Sequence, residues 1–403
     1  MGKLNLITVQ RVIRTGVLAL SAVALAACTS NGVRDGLPRS GTGSAAVERI
    51  LTPNPQGEVI GAGNVRVALL APLTIPGAAA EIAKELCNGA AMAMQDFGQN
   101  RIQLVIKDTQ GQAAASQSVA AQAIQEGSSL IVGPLFAANV GAAAGAARPA
   151  NVPIIAFSTD TSVAKQGVYL FSYTPQADTE RMINYAASIG KRSLTAFLPR
   201  NPEGNLREAI VRQSAGQKGM IANIIRYDRS PTGVETVASE GVALVQGSDS
   251  IYIPEGGPIP NLILSGLKRN GADLTGKQVL GSGAWESVKT SDPVVDGALY
   301  PGRDISAFEG FATRYQSQFG TRPGVQAALA YDAITLAAEM ARINGPQNPY
   351  PSRAIESPRG FQGVNGAFRI RSNGITERGL AVYKVENGSG RLIEGAISRF
   401  SGS

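Results

Sequence analysis

The sequence predicts an α/β protein of two lobes, each a mostly parallel sheet with helices on both faces. Three observations carry that prediction. From residue 65 onward, short apolar runs alternate with segments of helical periodicity, the pattern of parallel strands joined by crossover helices. The runs are apolar almost without interruption, as buried strands are. Two such sets follow one another and the final third returns to long helices, so the chain passes between the lobes several times.

The first set opens with a strand over 65–71, ended at Pro72-Leu73-Thr74. A helix over 78–97 keeps Leu86, Ala90 and Met94 on one stripe. A strand at 102–107 and a helix at 113–126 follow. Next comes Leu130-Ile131-Val132-Gly133-Pro134-Leu135, a strand stopped by Gly133-Pro134 because proline cannot donate to a sheet ladder. A helix of very small residues runs from 137 to 147. Strand, glycine turn and helix together present backbone N–H groups to a ligand crevice in open α/β sheets. A strand at 153–157 then leads into the turn Ser158-Thr159-Asp160.

The second set runs helix 178–189, strand 193–198, helix 206–215, strand 220–227, helix 233–245, strand 250–253, helix 261–270 and strand 278–281. Helices at 306–319 and 325–343 follow. A hairpin of 366–370 and 379–386, turned at Asn373-Gly374, closes the chain.

Composition removes several function classes. The chain has 403 residues, 44% hydrophobic and 17% charged, with no histidine. That excludes histidine triads, histidine-ligated metals and imidazole proton shuttles. The net charge of +7 includes Lys3, Arg11 and Arg14; without these, 34 basic side chains face 30 acidic ones. The remainder are scattered, so nucleic acid is not an expected partner. No Walker pattern is present, and Gly281-Ser282-Gly283 lacks a third glycine. Two S-x-x-K matches, at Ser162 and Ser265, lack the S-x-N partner that an acyl-enzyme needs. No catalytic residue, metal or cofactor is expected.

Residues 1–27 pair a basic start with about a dozen apolar residues, which reads as a signal peptide rather than a membrane span. Its end, Leu25-Ala26-Ala27-Cys28, resembles the lipobox of bacterial lipoproteins, which implies lipidation at Cys28. Thr29 in place of aspartate then implies an outer-membrane anchor facing the periplasm. Residues 28–64, rich in Gly, Ser and Pro, read as a flexible tether. Cys87 sits in a helical pattern and reads as a small core residue.

Val67-Ala68-Leu69-Leu70-Ala71-Pro72-Leu73-Thr74, Asp108-Thr109, Tyr331-Asp332-Ala333 and the closing 361–370 segment resemble the type I periplasmic binding protein fold, over nearly all of 65–400. The resemblance implies two Rossmann-like lobes with multiple hinge crossings. It divides the chain into lobe 1 (65–177), lobe 2 (178–285), and a crossing back that completes lobe 1 (286–403), with the 306–319 helix open to a place in lobe 2. The parent group is the leucine/isoleucine/valine-binding receptors of ABC transporters. Gly133-Pro134-Leu135 with Asn139-Val140, and Phe171-Ser172-Tyr173-Thr174-Pro175 with Glu180-Arg181, resemble the penicillin-binding protein activator branch. That branch implies a non-enzymatic regulator contacting a class A peptidoglycan synthase, although the helical-repeat module of the longer activators is missing.

In the amino-acid receptors, small hydroxyl residues of the first lobe and a tyrosine and an acid of the second hold the ligand. Ser158 and Thr159 fall at the matching first-lobe loop. The tyrosine position falls near Pro202 and the acid near Ser282 or Gly283, where no acid stands; Glu255 or Glu286 could substitute, but sequence does not aim them. An ammonium buried without that ion pair would cost several kcal/mol.

The activator reading is therefore the primary expectation, and a receptor for a small polar ligand such as an amino acid is the alternative. Candidate cleft residues are Leu73, Thr74, Gly133, Pro134, Leu135, Ser158, Thr159, Asp160, Glu203, Glu255, Trp285 and Glu286. Among these, Asp160 with Ser158 reads first as a helix-capping pair. Trp285 reads equally as crevice wall or core.

Overall fold

A computed structural model describes residues 51–400, apart from residues 53 and 304 and the side chains of 305–307. The signal peptide, Cys28 and the tether up to residue 50 lie outside the described residues. Among the described residues no helix is long and apolar enough to cross a membrane.

The first lobe is a six-stranded sheet. Its strands are β1 (Glu58–Ile60), β2 (Val65–Ala71), β3 (Ile102–Asp108), β4 (Ser128–Val132), β5 (Ile154–Ala156) and β6 (Val168–Leu170), in the order β1-β3-β2-β4-β5-β6. All pairings are parallel except β1 with β3. Every residue of the central strand β2 is buried, as a strand covered on both faces requires.

The end of the stretch expected to be a flexible tether is instead structured. Arg66 and Lys107 are buried and need partners. Arg66 donates to the Thr52 carbonyl at 2.8 Å and Lys107 to the Gln56 carbonyl at 2.6 Å. These bonds strap the chain before β1 to the sheet.

Helices α1 (Ala78–Ala93), α2 (Ala113–Gln125) and α3 (Ala137–Ala147) connect these strands. The other long helices of the first lobe arrive much later in sequence, as α9 (Ile305–Phe319) and α10 (Val325–Asn344). Phe308, Phe311 and Tyr315 of α9 share one core with Leu69, Leu86 and Tyr331, and the rings of Phe311 and Tyr331 lie 5.0 Å apart. Helix α9 therefore packs in the first lobe; the alternative of a place in lobe 2 is corrected by its apolar face. Helices α1 and α10 meet at Gly89, where a Cβ would stand 2.0 Å from the Ala327 carbonyl oxygen.

The second lobe is a seven-stranded sheet, built from β7 (Ser193–Pro199), β8 (Ile221–Tyr227), β9 (Ser250–Tyr252), β10 (Gln278–Leu280), β11 (Leu299–Gly302), β15 (Ala381–Glu386) and β16 (Ser389–Glu394). Its order is β16-β15-β11-β10-β9-β7-β8. Helices α4 (Pro175–Ser188), α5 (Pro202–Gln217), α6 (Pro231–Glu240), α7 (Val242–Gln246) and α8 (Ile259–Arg269) cover it. A short helix, α11 (Ser352–Ile355), precedes a small antiparallel sheet of β12 (Phe361–Gly363), β13 (Gly366–Ile370) and β14 (Thr376–Arg378).

The predicted closing hairpin thus divides. The turn at Asn373-Gly374 exists, with Gly374 at φ +86°, but it joins β13 to β14, and β15 pairs with β11 in the other lobe. The chain passes between the lobes at 171–175, after β11, and at 378–381. This is a hinge of several strands.

Gly133 has φ +83° and precedes Pro134 through a cis peptide. A Cβ there would lie 2.2 Å from the Leu70 carbonyl oxygen. Gly133→Ala combines a backbone region that L residues avoid with a backbone clash, and is expected to cost at least about 2 kcal/mol. Chemical denaturation would read that as a lower midpoint with the slope preserved, and an unchanged midpoint would refute it.

Candidate functional site

In open α/β sheets ligands bind beyond the carboxyl ends of the parallel strands. In the first lobe the ends of β2, β4 and β5 carry the loops proposed from sequence. The loop after β2 is exposed at Leu73 and Thr74 and is fixed from β3. Asp108 accepts the Leu73 N–H at 2.9 Å, the Thr74 hydroxyl at 2.7 Å and the Gln110 N–H at 2.8 Å. Burial opposes the Asp108 charge, but the Thr74 hydroxyl and these amides hold its pKa below the ordinary value.

After β4, Gly133 and Pro134 are buried and Leu135 packs against the first core. Gly133 and Pro134 seat one strand against its neighbour, and only Leu135 keeps some accessible surface. After β5, Ser158 is buried, and its carbonyl accepts from the Ser172 hydroxyl at 2.6 Å. Asp160 caps the short turn Thr161–Val163 through the Ser162 N–H at 2.9 Å. Thr159 and Asp160 are exposed toward the second lobe.

Two cavities lie between the lobes here. The outer, about 650 Å³, has Thr159, Asp160 and Ser162 on one side and Asp178, Glu203, Leu206 and Arg207 on the other. The inner, about 290 Å³, is bounded by Thr174, Asp178, Gly283, Glu286 and Arg303 among others. Tyr173 and Asp178 line both. Of the residues proposed from sequence, Thr159, Asp160 and Glu203 therefore come together at the outer cavity, and Glu286 at the inner one. Leu73, Thr74, Gly133, Pro134, Leu135, Ser158, Glu255 and Trp285 line neither.

Two of these have other work. Trp285 is fully buried in the second-lobe core, and its indole N–H donates to the Ile253 carbonyl at 2.8 Å. Gly281 makes room for it, since a Cβ there would lie 2.4 Å from the ring. The crevice-wall reading of Trp285 gives way to the core reading. Glu255 is held by both guanidinium arms of Arg229, at 2.9 and 2.8 Å.

An acid from elsewhere in the chain stands beside Ser282 and Gly283, where the sequence has none. Ser282 is buried and caps the following turn, accepting from the Ala284 N–H and donating to the Pro254 carbonyl. Beside it stands Asp178, in the first turn of α4, whose Oδ2 accepts the Gly283 N–H at 3.3 Å. Thr174 caps α4 and Pro175 opens it, the arrangement that starts a helix well.

Asp178 is anchored by Arg207 of α5, buried and 2.8 Å away. Arg207 also reaches Glu203 at 3.0 Å, the Thr179 hydroxyl at 2.8 Å and the Tyr252 hydroxyl at 3.1 Å. Burial alone would lower the pKa of Arg207, but Tyr252, Asp178 and Glu203 around it raise it.

On the opposite wall of the inner cavity, Arg303 follows β11. Its Nη2 lies a long 3.7 Å from Glu286, and its Nη1 is enclosed with no hydrogen-bond partner. Arg378 is buried at the hinge, behind the cavity's Tyr173. It lies 4.7 Å from the Phe171 ring, 4.6 Å from Tyr173 and 5.7 Å from Phe368, and donates to the Ser172 carbonyl. Asp178, Arg207, Arg303 and Arg378 were not singled out by sequence. Asp178 stands in the first turn of α4, Arg207 inside α5, and Arg303 and Arg378 at strand ends, while Tyr173 and Thr174 beside the cavity belonged to a motif already noted. Among the described residues no group of acidic or sulfur ligands could hold a metal.

The chain matches the profile of the periplasmic binding proteins over residues 64–390. Its fold is similar to that of a leucine binding protein from Thermotoga maritima, at 20% identity and TM-score 0.58, covering 82% of this chain and 98% of that one. A branched chain amino acid ABC transporter periplasmic ligand-binding protein from Burkholderia xenovorans matches at 15% identity and TM-score 0.66, covering 83% and 96%. A branched-chain amino acid transporter substrate binding protein from Streptococcus pneumoniae, in complex with isoleucine, matches at 17% identity and TM-score 0.55, covering 82% and 99%. At these identities the likeness is one of fold. No curated protein sequence matches the chain.

Proposed function

Because this chain belongs to the periplasmic binding protein family, we propose that it is the solute-binding receptor of an ABC transporter, for a small zwitterion of the amino-acid kind. The observation that carries this reading is the inner cavity. It offers Arg303, with an enclosed and unfilled Nη1, and the carboxylate of Glu286, which is held only loosely. A guanidinium fork suits a carboxylate, and Glu286, with Asp178 behind it, suits an ammonium. The acid missing from its expected position is in this way supplied by other elements. Hinge closure over the cavity would exclude water and strengthen both contacts. In this reading the protein catalyses nothing, Cys28 carries its lipid anchor, and the body faces the periplasm.

The synthase-activator reading has less to support it. Gly133 and Pro134 are buried between strands, and Phe171, Ser172 and Thr174 are buried at the hinge. Those residues of the quoted motifs therefore offer no surface to a partner protein.

A thermal-shift screen of amino acids on residues 46–403, which form one compact unit, separates the readings. At a hundred times the dissociation constant a bound solute adds about 2.7 kcal/mol, seen as a rise of a few degrees in Tm. The receptor reading expects such a rise, lost in Arg303→Gln. Capture of a class A synthase with no solute-induced shift would overturn it in favour of the activator.

A further inference from the structure

A third cavity of about 350 Å³ lies on the other side of the Glu286–Gly302–Arg303 wall, lined by residues of both lobes. Its second-lobe wall is Tyr300 on β11 stacked on Tyr383 on β15, with ring centres 5.6 Å apart and planes within 23°. The backbone makes room for both rings. A Cβ on Gly302 would lie 2.7 Å from the Tyr383 ring, and one on Gly390 2.0 Å from the Tyr300 hydroxyl. Facing them from the first lobe is Phe308, with the guanidinium of Arg303 at 4.7 Å and that of Arg322 at 5.9 Å from its ring centre.

The charges here are two arginines and two glutamates. Glu309 pairs with Arg322 at 2.5 Å, both well exposed, and Glu286 stands 3.7 Å from Arg303. Exposed pairs of this kind exchange readily with a competing anion. Arg303 additionally keeps one enclosed nitrogen without a partner. Aromatic walls on two sides and spare guanidinium donors at the edge define a ligand class.

We propose that this rear cavity is a second ligand site, for a small planar aromatic carboxylate, with the ring against Tyr300 and Tyr383 and the carboxylate on Arg322 and Arg303. The assignment shares Arg303 with the solute reading of the inner cavity, and Arg322, which lines the rear cavity and neither of the others, tells the two sites apart. An occupant would touch both lobes behind the hinge and so bias their closure.

The probe is benzoate, titrated into the full-length protein by calorimetry, with benzyl alcohol and acetate as controls for charge and ring. Benzoate is expected to bind saturably in the millimolar range or tighter, with each control at least about tenfold weaker. Arg322→Gln is expected to weaken benzoate roughly tenfold and Arg322→Lys less, since lysine keeps the charge and loses the fork. Asp178→Asn, which alters the inner and outer cavities and does not line the rear one, should leave benzoate affinity unchanged. The proposal is overturned if no saturable benzoate binding occurs, if Arg322→Gln binds as the parent does, or if Asp178→Asn abolishes binding.

Discussion

Arg207→Met is expected to destabilise the protein by roughly 3–5 kcal/mol, the largest single-site loss among the charged residues of the cleft. The reason is what the substitution leaves behind. Arg207 is 4% exposed and neutralises Asp178 from 2.8 Å. Without it, the Asp178 carboxylate keeps only the Gly283 N–H and Thr179 as partners. Tyr252 loses a donor in the same step. Methionine fills a similar volume, so the loss reports uncompensated charge more than a cavity.

That claim has its own check in a double variant. Arg207→Met with Asp178→Asn removes both charges and should recover at least half the loss, a strong departure from additivity. Denaturant unfolding of the two singles and the double measures it. A single-variant loss below about 1 kcal/mol, in the range of exposed pairs, would show that the pair is not a structural hub.

The second large effect concerns pH. Asp332 on α10 is 3% exposed, and burial pushes its pKa up to about 6 from 3.8. The Val364 N–H, 2.7 Å from Oδ1, and the Arg378 charge oppose that rise without cancelling it. The folded state therefore holds this proton more tightly than the unfolded chain. The stability Asp332 contributes is complete below about pH 4 and is lost as pH rises through about 6. A shift of roughly two units corresponds to about 3 kcal/mol.

Asp332→Asn keeps an acceptor for the Val364 N–H and cannot ionise. Its stability relative to the parent should rise by up to about 3 kcal/mol between pH 4 and pH 7. Parallel unfolding curves at the two pH values measure the difference. A constant offset across that range would mean that Asp332 is already ionised without penalty, with Arg378 as its counter-ion.

Most of the fold was legible because its signals are local. The strands β2 and β7 and the helix α3 have continuous patterns bounded by Gly, Pro or polar turns, and their ends fall within a residue of the reading. What was missed is short or looks like a turn. Val168-Tyr169-Leu170 is only three residues long, and Leu299-Tyr300-Pro301-Gly302 ends in a dipeptide that usually breaks strands. Both are held by tertiary neighbours, β5 on one side and β10 with β15 on the other.

The site was far less readable. Thr159, Asp160, Glu203 and Glu286 were found because they follow strand ends or stand near them. Asp178 and Arg207 meet across α4 and α5, while Arg303 and Arg378 come from the later crossings at β11 and β14, and no spacing in the sequence encodes those meetings. Gly133-Pro134 was conspicuous for the opposite reason. A buried packing constraint has as sharp a sequence signature as a binding loop.

The contact of α1 with α10 at Gly89 has a consequence for the order in which the molecule is made. The first lobe begins at β1, yet its core stays open until residues 325–344 arrive, after β7 to β11 of the other lobe have already been synthesised. On the ribosome the lobe that starts first is completed late, with the apolar stripe of α1 uncovered in the interval. The close approach at Gly89 and Ala327 is thus an encounter between segments made far apart in time. A nascent chain would need that stripe shielded until α10 emerges.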